Sequence, residues 1–242
     1  MANVLTVENL SISFGSNDVL KSISFEVESN EILGVIGPNG AGKTVMLNIL
    51  TGILKPSKGS IRFQGEDITH KTITERCHMG FGRTFQVPRS FEGMTVFENV
   101  IVGAVYGGGM PESKGRRKAF EILEMIGLVD KAEWFAGKLS LIDRKRLEIG
   151  RALASDPKLL LFDEVAGGLT ETEVEKMLAI VRMIKNQGIS IVWIEHVLQT
   201  MLEGTDKILC LAEGKVVLCG LPEAVMNSKE VSECYLGADE EC

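Results

Sequence analysis

The hydrophobic pattern divides this 242-residue chain into short apolar runs and amphipathic stretches. VLTVENLSISF and VLKSISFEV flank the polar GSND, which predicts two strands joined by a turn. EILGVIG is a short apolar run that enters a glycine-rich turn, as a buried strand would. VMLNILTGIL has helical spacing and predicts a helix stopped near KPSKG by Pro56 and Gly59. IRFQGEDI returns to strand.

From about Val87 the pattern changes. VYGGGMPESKG is a loop by its glycines and proline. RKAFEILEMIGL has helical spacing and ends at Gly127, so a helical insert is expected over about 87–150. KLLLF, after Asp156-Pro157, predicts a buried strand. TETEVEKMLAIVRMIKNQG predicts a helix that Thr170 and Glu173 cap and Gly188 ends. ISIVWI is a second buried strand, and DKILCLAEGKVVLCG is strand, turn, strand. Apolar strands alternating with helices predict an α/β fold with a mostly parallel sheet. No internal repeat interrupts the pattern.

Composition narrows the partners. Hydrophobic residues make up 45% and charged residues 24%, enough to bury a core. Net charge is 26 − 33 = −7, which argues against nucleic acid, whose phosphates reward clustered Lys and Arg. Five cysteines in odd number, with no C-x-x-C pair, point to a reducing cytosol rather than a disulfide framework or zinc site. The start MANVLTVENL lacks the pattern of a signal peptide. No apolar stretch approaches the ~18 residues a membrane helix needs, so any membrane role is expected to run through a partner.

Three motifs carry chemistry. GPNGAGKT, over Gly37, Pro38, Asn39, Gly40, Ala41, Gly42, Lys43 and Thr44, matches G-x-x-x-x-G-K-[ST] between a strand and a helix. Backbone N–H groups of Gly40 to Thr44 can wrap phosphates, and the helix N-terminus adds a favourable field. Lys43 would reach the β- and γ-phosphates, and Thr44 would hold Mg²⁺. LLLFDE at 159–164 is an apolar strand ending in two carboxylates. Alone these are two solvated acids. With the loop about 120 residues earlier, Asp163 suits the Mg²⁺ shell, and Glu164 suits polarising an attacking water. His196 follows ISIVWIE, and a histidine at the carboxyl end of a core strand suits a γ-phosphate contact. Gln86 and Phe14 are unremarkable by themselves, and KGRRK at 114–118 reads as a solvated helix start.

Together these residues resemble the ATP-binding subunits of ABC transporters over essentially the whole chain. The resemblance implies a P-loop NTPase core with an N-terminal antiparallel β layer and a helical insert, a single domain spanning 1–242. It implies a sandwich of two such subunits, each ATP lying between one subunit's P-loop and the other's signature helix. In that light Gln86 senses Mg²⁺ and the transmembrane partner, His196 clamps the γ-phosphate, and Phe14 stacks on adenine. FGRTFQVPRSFEGMTVFENV and the ending ECYLGADEE look like the type that serves branched-chain amino acid and urea importers. The lipopolysaccharide-export ATPase shares a similar C-terminus.

LSLID at 139–143 stands where the family has Leu-Ser-Gly-Gly-Gln or Leu-Ser-aromatic-Gly-Gln. Leu139, Ser140 and the flank RLEIGRAL match; Leu141, Ile142 and Asp143 do not. Ile142 puts a branched side chain where glycine backbone approaches phosphate, and Asp143 adds negative charge. Ser140 and Asp143 can instead close on each other as a capping box. Val45, Val165, GGLT at 167–170 and Val197 are further departures.

The resulting expectation is an ATPase that binds ATP and Mg²⁺ and powers uptake of a small polar solute, such as a branched-chain amino acid or urea. Its partners would be transmembrane permease subunits and a second ATP-binding subunit, a heterodimer favoured over a homodimer. It would sit in the cytoplasm on the inner face of the membrane. A nucleotide-gated subunit of weak turnover, a lipopolysaccharide-export-type ATPase, and a soluble ATPase of translation or DNA repair are the alternatives.

Overall fold

The computed structural model describes residues 2–236. The last part of ECYLGADEE, and Cys242, lie outside the described residues. The chain divides into two compact units: Met1–Ile73 with Ser190–Cys242, and Thr74–Ile189.

The first unit opens with β1 (Asn3–Phe14) and β2 (Asn17–Glu28), an antiparallel pair around the predicted turn. β3 (Ile32–Ile36) is buried at every position, as its unbroken apolar run requires. α1 (Lys43–Leu50) follows the glycine loop. It is shorter than VMLNILTGIL suggested, because Gly52 adopts φ 82° and stops it before Pro56 is reached. β4 (Lys58–Phe63) and β5 (Glu66–Asp67) complete a sheet of order β2-β1-β4-β5, so IRFQGEDI is two strands around Gln64-Gly65.

The second unit takes α2 (Ile73–Met79) from Thr74 onward, and β6 (Phe81–Arg83) follows. α3 (Val96–Val102) starts at a capping box in which Thr95 and Glu98 bond reciprocally. A π turn over Gly103–Gly107 extends it, so the first part of VYGGGMPESKG is helical rather than loop. A Cβ on Gly103 would stand 2.5 Å from the Arg151 carbonyl oxygen, so glycine lets two backbones touch. α4 (Glu112–Met125) begins within the expected loop and ends before Gly127, whose φ is 68°. α5 (Leu141–Ala154), β7 (Leu159–Asp163) and α6 (Glu171–Asn186) follow. β6 and β7 pair in parallel, Arg83 opposite Leu161. At the start of α6, Glu173 accepts from the backbone N–H and the hydroxyl of Thr170.

The chain then returns to the first unit. β8 (Ser190–Ile194) is wholly buried and runs parallel to β3, with Val35 opposite Ile194. α7 (Leu198–Gly204) leads to β9 (Lys207–Ala212), which flanks β3 on its other side, with Ile36 opposite Cys210. β10 (Lys215–Gly220) turns back antiparallel on β9, and α8 (Pro222–Met226) and α9 (Lys229–Leu236) close the described chain. Trp193 is completely buried in this unit. The four described cysteines are free thiols, and burial pushes Cys210 up to about 11. No helix among the described residues is long and apolar enough to cross a membrane.

Candidate functional site

The glycine loop is shaped by close backbone approach. A Cβ on Gly37 would fall 1.9 Å from the Leu211 carbonyl oxygen of β9, so only glycine fits there. Gly40 and Gly42 have φ of 79° and 100°, and Gly42 is the N-cap of α1. The first-turn N–H groups of any helix lack intrahelical acceptors and favour an anion. A Cβ on Gly40 would meet nothing within 4 Å, so the loop's outer edge is open. Pro38 is half-buried, Asn39 and Thr44 are exposed, Ala41 is buried and Val45 half-buried.

Lys43 is 7% exposed, and its ammonium donates to the carbonyls of Gly37 (2.6 Å) and Pro38 (2.9 Å). The cation therefore lies folded into the loop, held by charge-assisted bonds. These are the positions at which a triphosphate would meet it.

Register brings His196 to the same end of the sheet. Glu195 N–H donates to the Val35 carbonyl at 3.4 Å, two residues before Gly37. His196 thus leaves β8 where β3 enters the loop. Its side chain is exposed, while Glu195 is buried, accepting from the Trp193 indole and the His196 N–H at 3.3 Å each. Phe14 closes β1 beside the turn and is 49% exposed, a surface aromatic rather than a core one.

The second unit holds Gln86, Ser140, Asp163 and Glu164. Asp163 ends β7 and is buried; its N–H donates to the Thr84 hydroxyl at 3.2 Å, and its carboxylate pairs with Arg83 at 3.3 Å. Burial lowers the Arg83 pKa, and the Asp163 charge works against that shift. Glu164 takes a left-handed φ of 51°, which costs about 1–2 kcal/mol for a residue with a Cβ. Its carboxylate accepts from Gln86 Nε2 at 2.6 Å, so structure joins two residues that lie 78 apart in sequence. Its carbonyl accepts from Lys145 Nζ at 2.7 Å and from the Gly167 N–H at 3.4 Å.

The start of α5 differs from the family's signature in a specific way. Ser140 is the N-cap: its hydroxyl accepts from Asp143 N–H (3.4 Å) and donates to the Asp143 carboxylate (2.9 Å). That carboxylate also pairs with Lys131, and with Arg146 at 3.6 Å. Asp143 is therefore buried and locally neutralised, and the closure of Ser140 and Asp143 on each other that the sequence allowed is present. Ile142 is 8% exposed and points into the unit, whereas Leu141 is 48% exposed. The outward position is taken by leucine, and the branched isoleucine packs inside.

Sequence reasoning missed Lys145, Arg83 and Glu195. Lys145 carried a signal: it lies three residues after Ile142 and four before Ile149, on the buried stripe of α5. A lysine there needs an acceptor.

The residues present suit Mg²⁺ and a nucleotide. In the first unit Thr44 offers a hydroxyl; in the second, taken by itself, Asp163 offers a carboxylate and Gln86 an amide oxygen, all hard oxygen donors. The open loop over Gly40 leaves room for phosphate oxygens.

The family model described as ABC transporter matches residues 20–167, more than half of the chain. The lipopolysaccharide export system ATP-binding protein LptB of Haemophilus influenzae is 33% identical over 235 residues, covering 97% of this chain and 98% of that one. The probable branched-chain amino acid transport ATP-binding protein LivG of Methanocaldococcus jannaschii is 34% identical over 250 residues, covering 97% of each. The crystal structure of the ADP conformation of MJ1267, an ATP-binding cassette of an ABC transporter, superposes with a TM-score of 0.90 at 32% identity, covering 98% of this chain and 100% of that one. With a family match over most of the chain and a shared α/β cassette fold, this chain belongs to the ABC transporter family, as an ATP-binding and ATP-hydrolysing subunit.

Proposed function

We propose that this subunit binds ATP with Mg²⁺ and couples its hydrolysis to uptake of a small polar solute, such as a branched-chain amino acid or urea, through transmembrane permease partners. The observation that carries the reading is the glycine loop, pressed onto β9 at Gly37 and holding Lys43 inside its curve. Gly37 to Thr44 surround the phosphates, and Lys43 neutralises them. Thr44, Asp163 and Gln86 would hold Mg²⁺, which would supply charge stabilisation to the transferred phosphoryl group. Glu164 takes a proton from the attacking water, His196 contacts the γ-phosphate, and Phe14 stacks on adenine. Val45 contributes backbone to the loop and no hydroxyl. The whole chain acts as one cassette, cytoplasmic and peripheral to the membrane through its permease.

The importer reading is supported by the LivG relative. A lipopolysaccharide-export role remains the competing reading, because LptB is a relative of nearly equal identity. Ser140, engaged with Asp143 at 2.9 Å, favours pairing with a non-identical ATP-binding subunit over a symmetric homodimer. A partner with a glycine-bearing signature would complete the site on this chain's loop.

The test is a titration with a fluorescent ATP analogue and Mg²⁺, followed by single-turnover hydrolysis with and without candidate partners. Lys43→Ala should weaken binding at least tenfold. Glu164→Gln should bind normally and hydrolyse at most about 1% as fast, since it lacks the base. Equal binding by wild type and Lys43→Ala overturns the loop assignment, and near-normal turnover by Glu164→Gln overturns the base.

A further inference from the structure

The catalytic carboxylate assigned above sits on an unfavourable backbone. Glu164 follows the last residue of β7, and its φ of 51° turns its carbonyl out of the strand direction. A carbonyl in that position has lost its ladder partner and needs another donor. The Gly167 N–H donates to it at a long 3.4 Å. The strong donor is a side chain: Lys145 Nζ, at 2.7 Å. Lys145 is 5% exposed and belongs to α5, the helix that begins at LSLID.

We propose that Lys145 is a positioning residue for Glu164, holding its peptide in the left-handed conformation that aims the carboxylate. The inference rests on the assignment of Glu164 as the base. A charge-assisted bond to a carbonyl in a buried setting is stronger than a neutral one. It fixes the Glu164 peptide, and with it the backbone torsions that set the direction in which the side chain leaves the chain. Rotating Glu164 back to an extended φ would swing its Cβ to the other side of the strand. Gln86 holds the carboxylate end at 2.6 Å, and Lys145 holds the backbone end, so the side chain is fixed at both. The bond also ties the base to α5, so the helix that presents LSLID and the base that cleaves ATP move together.

A purely structural lysine would lower stability and leave the residual, base-independent rate in step with it. A positioning lysine has a different signature. The experiment measures ATP hydrolysis by the full-length chain, in whichever assembly is active. The variants are Lys145→Met, Lys145→Arg, Glu164→Gln, and Glu164→Gln combined with Lys145→Met. Lys145→Met should lower kcat about 10²-fold, as a displaced catalytic group does, with KM for ATP within about twofold of wild type. Lys145→Arg, which keeps a cationic donor, should recover most of the rate. In the Glu164→Gln background the same Met substitution should change the residual rate by less than about twofold, because the base it positions is gone. A Lys145→Met enzyme with normal kcat while Glu164→Gln is inactive overturns the positioning role and leaves the base intact. An equal loss in both backgrounds also overturns it, since the effect would then bypass Glu164. High activity of Glu164→Gln instead defeats the underlying base assignment. Should Lys145→Met yield no folded protein, Lys145→Gln, polar but shorter, is read in the same way.

Discussion

Replacing Asp143 by Asn isolates the charge at the start of α5 while keeping the side-chain volume. The wild-type carboxylate is buried, with only 6% of its side chain exposed, and it faces two cations. Removing one member of a fully buried pair costs about 3–5 kcal/mol, because the surviving charge is stranded. Here the survivors are not fully stranded. Lys131 keeps 36% of its side chain exposed and can rehydrate, and Arg146 keeps 15%. That places the loss at or below the low end of the range. A carboxylate in the first turn also complements the helix field, worth about 0.3–1 kcal/mol. The expected cost is therefore about 2–3 kcal/mol, local to the second unit. Hydrogen exchange read by mass spectrometry over Leu141–Ala154 should show the opening free energy of α5 falling by that amount. A double-mutant cycle with Lys131→Met should return a coupling of about 1 kcal/mol. If Asp143→Asn exchanges no faster than wild type, the ion pairs contribute nothing and the electrostatic account of LSLID fails.

Two further outcomes follow from features of the same unit. Gly103→Ala should destabilise by about 1–3 kcal/mol, since its Cβ would stand 2.5 Å from Arg151 O and 2.9 Å from Ala154 Cβ; a melting temperature at or above wild type would refute that contact. Glu173 is held below its ordinary value of 4.5 by its bonds to Thr170. A carboxylate with a depressed folded pKa stabilises above its unfolded value, and the contribution disappears as pH falls through the lower folded value. Amide exchange at the start of α6 should accordingly accelerate as pH drops below about 4.5, beyond the intrinsic pH effect, and Glu173→Ala should abolish that extra acceleration. Identical pH profiles for the two proteins would count against the capping box.

Much of this architecture could be read from local pattern. The strands at EILGVIG, KLLLF and ISIVWI are continuous apolar runs, and each is fully buried from end to end. The cap at Thr170 and Glu173 was legible because both partners sit within one turn. Element ends were less legible. α1 stops at Gly52 because a left-handed glycine ends a helix sooner than a later proline can. The helical start of VYGGGMPESKG was hidden because Gly107, which reads as a turn residue, is there for close packing: a Cβ on it would stand 3.0 Å from Ser155 Cβ. At the site, the loop and the two carboxylates announced themselves by motif. The bonds from Lys145 and Gln86 to Glu164 did not, because they join residues 19 and 78 apart. Ile142 and Asp143 were visible as oddities, but only packing shows that one fills the interior and the other is neutralised.

β3 has consequences for how the protein is made. It is the strand that carries the glycine loop, and both of its neighbours, β8 and β9, come from the far end of the chain. The bond from Asn30 N–H to Ser190 Oγ spans 160 residues. At ribosomal speeds of about 5–20 residues per second, β3 waits roughly 10–30 s for its first partner. During that wait a five-residue, wholly apolar strand has neither edge covered by the strands that finally flank it. The intervening Thr74–Ile189 unit, whose helices carry their own caps, can meanwhile fold on local contacts. A truncation that removes β8 and β9 therefore does more than delete the terminus. It leaves the nucleotide-binding strand as an unpaired, aggregation-prone segment, so the last quarter of the chain guards the solubility of the first.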